Sequence, residues 1–262
     1  MAEVVPAAGP PPVDWTGQPL DCATCPRSEL RRAGRCALAH ACAFDRYARR
    51  VDRFFRWNPA LAVEFLAHPY FEVRAIACRY ADVFRVAPPA RDPDEAVRLA
   101  VALRLPPGRL RALADDPDRE VRVRVALRLP PAELAMMIAD PDYYVRVLVA
   151  QRLPLPQLPR LAADPEPEVR IVVAGRLEMP ALLAMVGDAE IPVRRIVARR
   201  LPRSLLDQLA ADDAWQVRWE VAQRADGALL RALGDDPEPD VAAEARRRID
   251  SGPRAENGGS CA

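Results

Sequence analysis

A valine recurs every 24 residues along most of this chain: Val73, Val97, Val121, Val145, Val169, Val193, Val217 and Val241. The first seven are each followed by arginine, from Arg74 to Arg218. Eight markers in one register define a tandem repeat. A repeat of this length restricts the chain to folds in which one supersecondary unit stacks on the next, because a single unit cannot bury its own apolar face. The consensus is D-P-x-x-x-V-R-x-x-V-A-x-R-L-P-x-x-x-L-x-x-L-A-x.

The unit contains two helical segments. In the first, Val121, Val125, Ala126 and Leu129 and their equivalents form a stripe on one face of an α-helix. Asp92-Pro93, Asp116-Pro117, Asp140-Pro141, Asp164-Pro165 and Asp236-Pro237 read as helix starts, with Asp as the cap and Pro in the first turn. Glu95 stands three residues after Asp92, as in a capping box. Ala102, Ala126, Ala150, Ala174, Ala198 and Ala222 leave room for a neighbouring helix, and Pro106, Pro130, Pro154 and Pro202 end the segment. In the second segment the apolar pairs are three apart, as in Leu110/Leu113 and Leu158/Leu161. One copy also holds Pro156 and Pro159. This pattern fits a 3₁₀ turn or a very short α segment. The expected fold is an all-α solenoid of α-helix plus 3₁₀ repeats, nearly free of β structure.

Residues 1–20, rich in Pro, Ala and Gly, read as a flexible lead-in. Residues 21–67 read as a four-cysteine module with a degenerate capping unit that carries Phe54, Phe55, Trp57 and Phe65. Residues 68–250 are the repeat array and 251–262 a disordered tail. The last repeats are atypical, as a terminal unit with one missing neighbour should be.

Composition removes several chemistries. All 38 basic residues are arginine, so lysine-dependent phosphate loops and Schiff bases are excluded. His40 and His68 are the only histidines. The net charge of +1 argues against a dedicated polyanion binder. No stretch is long and apolar enough to span a membrane as a helix, and the start lacks the pattern of a secretory signal. The expectation is a cytoplasmic, non-enzymatic protein, since no Ser/His/Asp or paired-carboxylate constellation can be placed.

Four of the six cysteines, Cys22, Cys25, Cys36 and Cys42, fall within 21 residues. In a reducing compartment such a group indicates a metal site rather than disulfides. Cys22-x2-Cys25 brings two sulfurs together across a turn that Pro26 helps to fix. Four thiolates suit a zinc ion or an iron–sulfur cluster, and a metal-free group is the third alternative. The uneven spacing, with Phe44 and Tyr47 beside it, favours the larger centre. Arg27, Arg31, Arg32 and Arg35 can offset thiolate charge.

A four-cysteine segment followed by 24-residue Leu- and Val-containing helical repeats resembles the leucine-rich repeat variant proteins of nitrogen-fixing bacteria. The resemblance covers about residues 20–250. It implies alternating α and 3₁₀ helices wound into a right-handed superhelix with a small N-terminal [4Fe–4S] domain. It further implies that Cys22, Cys25, Cys36 and Cys42 ligate that cluster. Glu178-Met179-Pro180, where the Leu-Pro step slips, and Ala189 and Asp213, which replace the usual Pro, depart from the pattern.

A second arginine column, Arg104, Arg128, Arg152, Arg176, Arg200 and Arg224, lies six residues after the first. The two columns could bind an anion or nucleic acid. The structural alternative, in which they pair with acidic columns and backbone carbonyls, is preferred because charges nearly cancel and no aromatic column interleaves. Cys78 stands where later repeats have Ala and is expected to be buried; Cys261 lies in the tail. His40 is a possible replacement ligand that four cysteines make unnecessary, and His68 stands where later repeats have a capping Asp. Trp215 and Trp219 are either a contact patch or ordinary packing.

These features lead to an expected interaction scaffold whose [4Fe–4S] centre is redox-active or redox-sensing and whose repeat surface binds a protein partner. Alternatives are an electron-transfer or accessory factor for a metalloenzyme system such as nitrogen fixation, and a zinc-capped solenoid with no redox role.

Overall fold

The computed structural model describes residues 9–86 and 88–252. The first eight residues of the expected lead-in and residues 253–262 of the expected tail lie outside this description. The chain divides into two compact units, one ending at Met137 and the next beginning at Ile138. No strand occurs among the described residues, only isolated bridges between Val13 and Pro19 and between Ala37 and Ala41.

In the first unit, α1 (Ser28–Arg32) belongs to the cysteine segment. Then α2 (Ala48–Trp57), α3 (Phe71–Tyr80), α4 (Glu95–Arg104) and α5 (Arg119–Arg128) pack in sequence, each on the next. The 3₁₀ segments Pro59–Phe65, Pro88–Arg91, Pro107–Leu113 and Pro131–Met137 follow α2 to α5 in turn. In the second unit, α6 (Tyr143–Arg152), α7 (Pro167–Arg176), α8 (Ile191–Arg200) and α9 (Trp215–Ala222) pack in the same way. Between them lie Leu155–Leu161, Ala181–Met185 and Arg203–Leu209 as 3₁₀ segments. The last pair is α10 (Gly227–Leu233) and α11 (Pro239–Ser251), with α11 packed on both α9 and α10.

The repeat pattern explains these elements. All eight marker valines have no solvent exposure, and neither do Ala102, Ala126, Ala150, Ala174, Ala198 and Ala222. Cys78 is equally buried at the corresponding position. The alanines permit close helix approach, while pairs such as Leu110/Leu113 and Leu206/Leu209 bury the 3₁₀ segments. Each fully buried Leu or Val contributes about 1.5–3 kcal/mol relative to exposure. Leu105, Leu129, Leu153 and Leu201 adopt extended ψ values near 140° ahead of Pro, which ends each α-helix. At the irregular step the Met179–Pro180 peptide is cis and the following 3₁₀ segment has five residues.

Helix starts differ from the sequence expectation. The first helical residues are Glu95, Arg119 and Tyr143, and the caps are Asp94, Asp118 and Asp142, whose carboxylates accept backbone N–H bonds within α4, α5 and α6. Asp92, Asp116 and Asp140 stand two residues before those caps, so Pro93, Pro117 and Pro141 are outside the helices. Glu95 completes no capping box with Asp92. The Asp-Pro step forms its own turn instead: Asp92 Oδ1 accepts the Asp94 N–H at 3.0 Å, and Asp116 Oδ1 accepts that of Asp118 at 2.9 Å. A short acidic side chain bonds the backbone two residues on as readily as it caps.

The same carboxylates receive the first arginine column. Arg74 pairs with Asp92, Arg98 with Asp116, Arg146 with Asp164, Arg170 with Asp188, Arg194 with Asp212 and Arg218 with Asp236. Each guanidinium also donates to a carbonyl at the start of its own repeat, as Arg98 does to Asp92 O at 2.9 Å. The second column reaches the ends of preceding helices. Arg128 donates to the carbonyls of Ala102 and Leu105, and Arg200 to those of Ala174 and Leu177. Carbonyls left without helical partners thus receive cationic donors. Arg248, absent from the column as read from sequence, continues it by bonding Ala222 and Ala225.

Residues 9–20, within the expected lead-in, make bonds of their own and to the module. Asp14 Oδ1 accepts from the backbone of Thr16 and Gln18 at 2.8 and 2.9 Å, forming a tight loop. Arg46 N–H donates to Val13 O at 2.9 Å, and Arg50 donates to Pro10 O at 2.6 Å. The Trp15 ring meets that of His68 edge-on with centroids 4.7 Å apart.

Candidate metal centre

The cysteine segment is built from turns. The Asp21 carboxylate accepts the Ala23 N–H at 2.8 Å, bending the chain between Cys22 and Cys25. Ser28 N–H donates to Cys25 O at 3.1 Å and leads into α1. Gly34, at φ +70°, takes the left-handed conformation that turns the chain out of α1 toward Cys36. Asn58, fully buried, donates from Nδ2 to Arg35 O at 2.8 Å and to Phe54 O at 2.9 Å. It therefore ties the residue before Cys36 to the end of α2. Cys42 N–H donates to Arg50 O at 3.2 Å, fastening the fourth cysteine to the same helix.

Beneath this lies a buried ion pair. Arg50 Nη1 is 2.9 Å from Asp45 Oδ2, with both side chains almost wholly buried. Asp45 also accepts the Tyr47 N–H at 2.8 Å, and the Arg50 guanidinium lies over the Tyr47 ring at 5.3 Å. Phe44 packs against Phe65 at 5.7 Å, within a cluster that includes Phe54 and Phe55. Asn58 and the Asp45–Arg50 pair were not singled out from sequence. Nothing in the local pattern marks them, because their partners are reached through the fold.

All four candidate cysteines are free and half-buried. The Cys36 thiol is raised by burial and then by the charges of Cys25 and Cys22, while Arg31 opposes this. Burial pushes the Cys42 thiol up to about 12, with Asp45 and Cys25 adding to the rise. Cys25 is therefore within electrostatic reach of both Cys36 and Cys42, and Cys22 of Cys36. Arg27 N–H donates to Cys25 Sγ at 3.4 Å. Cys36 and Cys42, whose thiols burial pushes up, need a cationic centre to become thiolates, and a set of four sulfur donors fits an iron–sulfur cluster. Among the described residues, no three His, Cys, Asp or Glu side chains converge closely enough to hold a single metal ion.

Neighbouring candidates have other roles. The His40 ring lies 2.8 Å from Arg53 Nη1 and packs near Trp57. His68 Nδ1 accepts the Tyr70 N–H at 3.1 Å, the same bond that Asp92 and Asp116 make in later repeats. Arg27, expected to offset thiolate charge, forms an ion pair with Glu64. Trp215 and Trp219 line a shallow pocket with residues of α8 and α11.

Comparison with known proteins agrees with this architecture. A family model described as LRV protein FeS4 cluster matches residues 12–64. A second, leucine rich repeat variant, matches residues 95–118 and 143–166. The uncharacterized 27.7 kDa protein in nifB 3'region of Rhodobacter capsulatus is 52% identical over 98 residues, which are 37% of this chain. The match spans 40% of that relative's length. A solved structure described as a leucine-rich repeat variant with a novel repetitive protein structural motif is 46% identical, with a TM-score of 0.76. It covers 87% of this chain and 97% of its own. The α/3₁₀ repeat is thus that of the leucine-rich repeat variant solenoid, and the cysteine segment is the iron–sulfur module that precedes it. The chain belongs to the leucine-rich repeat variant family.

Proposed function

We propose that this chain is a non-enzymatic protein-interaction scaffold carrying a redox-active or redox-sensing [4Fe–4S] centre, held by Cys22, Cys25, Cys36 and Cys42. The observation that carries this reading is the grouping of four free, half-buried cysteines in the segment matched by the iron–sulfur family model. Bound there, the cluster supplies electron-transfer chemistry. The chain's own residues hold and tune the site. Arg31 lowers the cost of thiolate charge, Arg27 N–H stabilises Cys25 Sγ, and Asn58 and Arg50 fix the backbone on either side.

The scaffold reading rests on the repeats, whose helices pack in sequence within each unit while arginines of both columns bond to acidic side chains and backbone carbonyls. A protein partner fits the repeat surface better than nucleic acid does, for the same reason. The five described cysteines, all free, support a cytoplasmic location. A second reading, an accessory or electron-transfer factor in a metalloenzyme system such as nitrogen fixation, is favoured by the similar Rhodobacter capsulatus protein, whose name places it in the nifB 3'region.

The test is an absorption spectrum of anaerobically purified protein with iron, zinc and sulfide analysis on the same sample. A broad band near ~400 nm with about four irons per chain supports the proposal and permits redox titration. A colourless protein with about one zinc per chain overturns both redox readings and leaves a zinc-capped interaction solenoid.

A further inference from the structure

We infer that the groove across α2, α3 and α4 is the docking site for an acidic amphipathic helix of a partner protein. This rests on the scaffold reading above and names the surface and the partner's chemistry.

The groove encloses about 580 Å³ and is open along one side. Its floor is aliphatic: Ala75, Ile76 and Ala100 are buried there, and Leu99 and Leu103 stand one turn apart on α4, with Leu103 46% exposed. Arg49, Arg53, Arg56 and Arg79 line it as well, against two carboxylates. Both carboxylates are already engaged. Asp52 takes Arg56 and the Tyr80 hydroxyl, and Glu72 accepts from the Tyr70 hydroxyl. Arg49 and Arg79 are exposed and enter no ion pair among the described residues. An apolar floor beside two unneutralised guanidinium groups complements a helix with leucine-like anchors on one face and Asp or Glu beside them.

Other occupants fit less well. A phosphate backbone would meet Asp52 and Glu72, and the floor offers Phe71 alone for base stacking. A second copy brings no net negative charge, since the chain as a whole carries +1. The groove also shares a helix with the cysteine segment. Ala48, Arg49, Asp52, Arg53 and Arg56 face the groove, while Arg50, Val51, Phe54 and Phe55 are buried. Arg53 reaches from the groove to the His40 carbonyl at 3.0 Å. A docked helix would therefore sit one helix away from the cysteines.

The experiment is a selection from a displayed library of helical peptides on full-length, anaerobically purified protein, followed by anisotropy titration of the labelled winner. The expected winners carry apolar residues at i, i+3 or i+4 and i+7, with Asp and Glu beside them. Arg49→Glu/Arg79→Glu and Leu103→Asp should each weaken binding about tenfold or more. Arg49→Lys/Arg79→Lys should retain most of it, and circular dichroism should be unchanged in all three. Winners that bind the charge-reversed protein equally well overturn the groove assignment and leave the scaffold reading standing. A library with no winners overturns both. Displacement of the winner by a single-stranded oligonucleotide or by phosphatidylglycerol vesicles, as effective as by unlabelled peptide, assigns the groove to another class of ligand and overturns the inference.

Discussion

Arg98 and Asp116, 18 residues apart in sequence, are joined by two parallel bonds: Nε to Oδ2 at 2.8 Å and Nη2 to Oδ1 at 3.0 Å. The pair staples α4 to the turn that opens the next repeat, and only 11% and 3% of the two side chains are exposed. Asp116→Ala leaves a nearly buried guanidinium without its counter-ion and removes the acceptor for the Asp118 N–H. The expected loss is about 3–5 kcal/mol, measured as a lower urea midpoint. Arg98→Lys keeps the charge but loses the fork and should cost less. Equal losses for Asp116→Ala and a surface control such as Glu120→Ala would contradict this role.

The same column sets an acid limit. The Arg218 guanidinium beside Asp236 holds its carboxyl below the usual range, against a smaller opposing effect of burial. A depressed folded pKa gives stability that is complete above the unfolded value. It is lost as pH falls through the folded one. Urea midpoints should therefore be flat above about pH 5 and should fall below about pH 4. Asp236→Asn should start lower at neutral pH and show a shallower acid decline. An unchanged acid slope in that variant would remove Asp236 from the account.

The period of 24 made the alternation of α and 3₁₀ segments legible, because burial at Val121, Val125 and Ala126 requires one helix face and burial at Leu110 and Leu113 requires spacing of three. The role of Asp116 was not legible. Asp-Pro before an apolar stripe reads as a cap, yet its carboxylate turns back to a guanidinium from the previous repeat, a partner defined only by stacking. The cysteines were legible as a group because their chemistry and spacing are local. What holds them was not: Asn58 acts on Arg35 across 23 residues, and Trp15 reaches His68 from a segment whose composition suggested no structure.

His68 should report on the contact between that segment and the module. Its ring is buried against Trp15, Phe44 and Phe65, with Nδ1 accepting from Tyr70 and Nε2 without a hydrogen-bond partner. Burial lowers its pKa below the ordinary 6.5, and the charge of Arg74 lowers it further. The folded protein then binds this proton less readily than the unfolded chain. Stability should be complete above about pH 6.5 and decline as pH falls toward the folded pKa. A nuclear magnetic resonance titration of the His68 ring should give a midpoint below that of a histidine peptide. A midpoint at or above the peptide value would show that burial does not govern this ring.

The second arginine column makes a separate prediction. Arg128 donates to Ala102 O and, at 3.0 Å, to Leu105 O, two carbonyls at the end of α4. Arg128→Ala should cost about 1–2 kcal/mol and speed hydrogen exchange in the last turn of α4. Arg160→Ala, an exposed arginine outside both columns, should change neither.

Metal retention should separate the four module cysteines from Cys78. Cys42 is tied through its N–H to Arg50 O, and its thiol is held protonated by burial unless a cation compensates. Cys42→Ala should therefore lower iron and sulfide per chain sharply while leaving most repeat helicity intact, since the repeats bury their own valines and leucines. Cys78 has no exposure and its thiol is likewise pushed up to about 12 by burial, but it lies on α3 at a position that later repeats fill with Ala. Cys78→Ala should keep the full iron content and lose only a small packing contribution, about 1 kcal/mol. Iron and sulfide analysis of the two variants, purified side by side without oxygen, decides the matter. Equal loss in both would mean that disturbed packing, rather than a missing ligand, releases the iron.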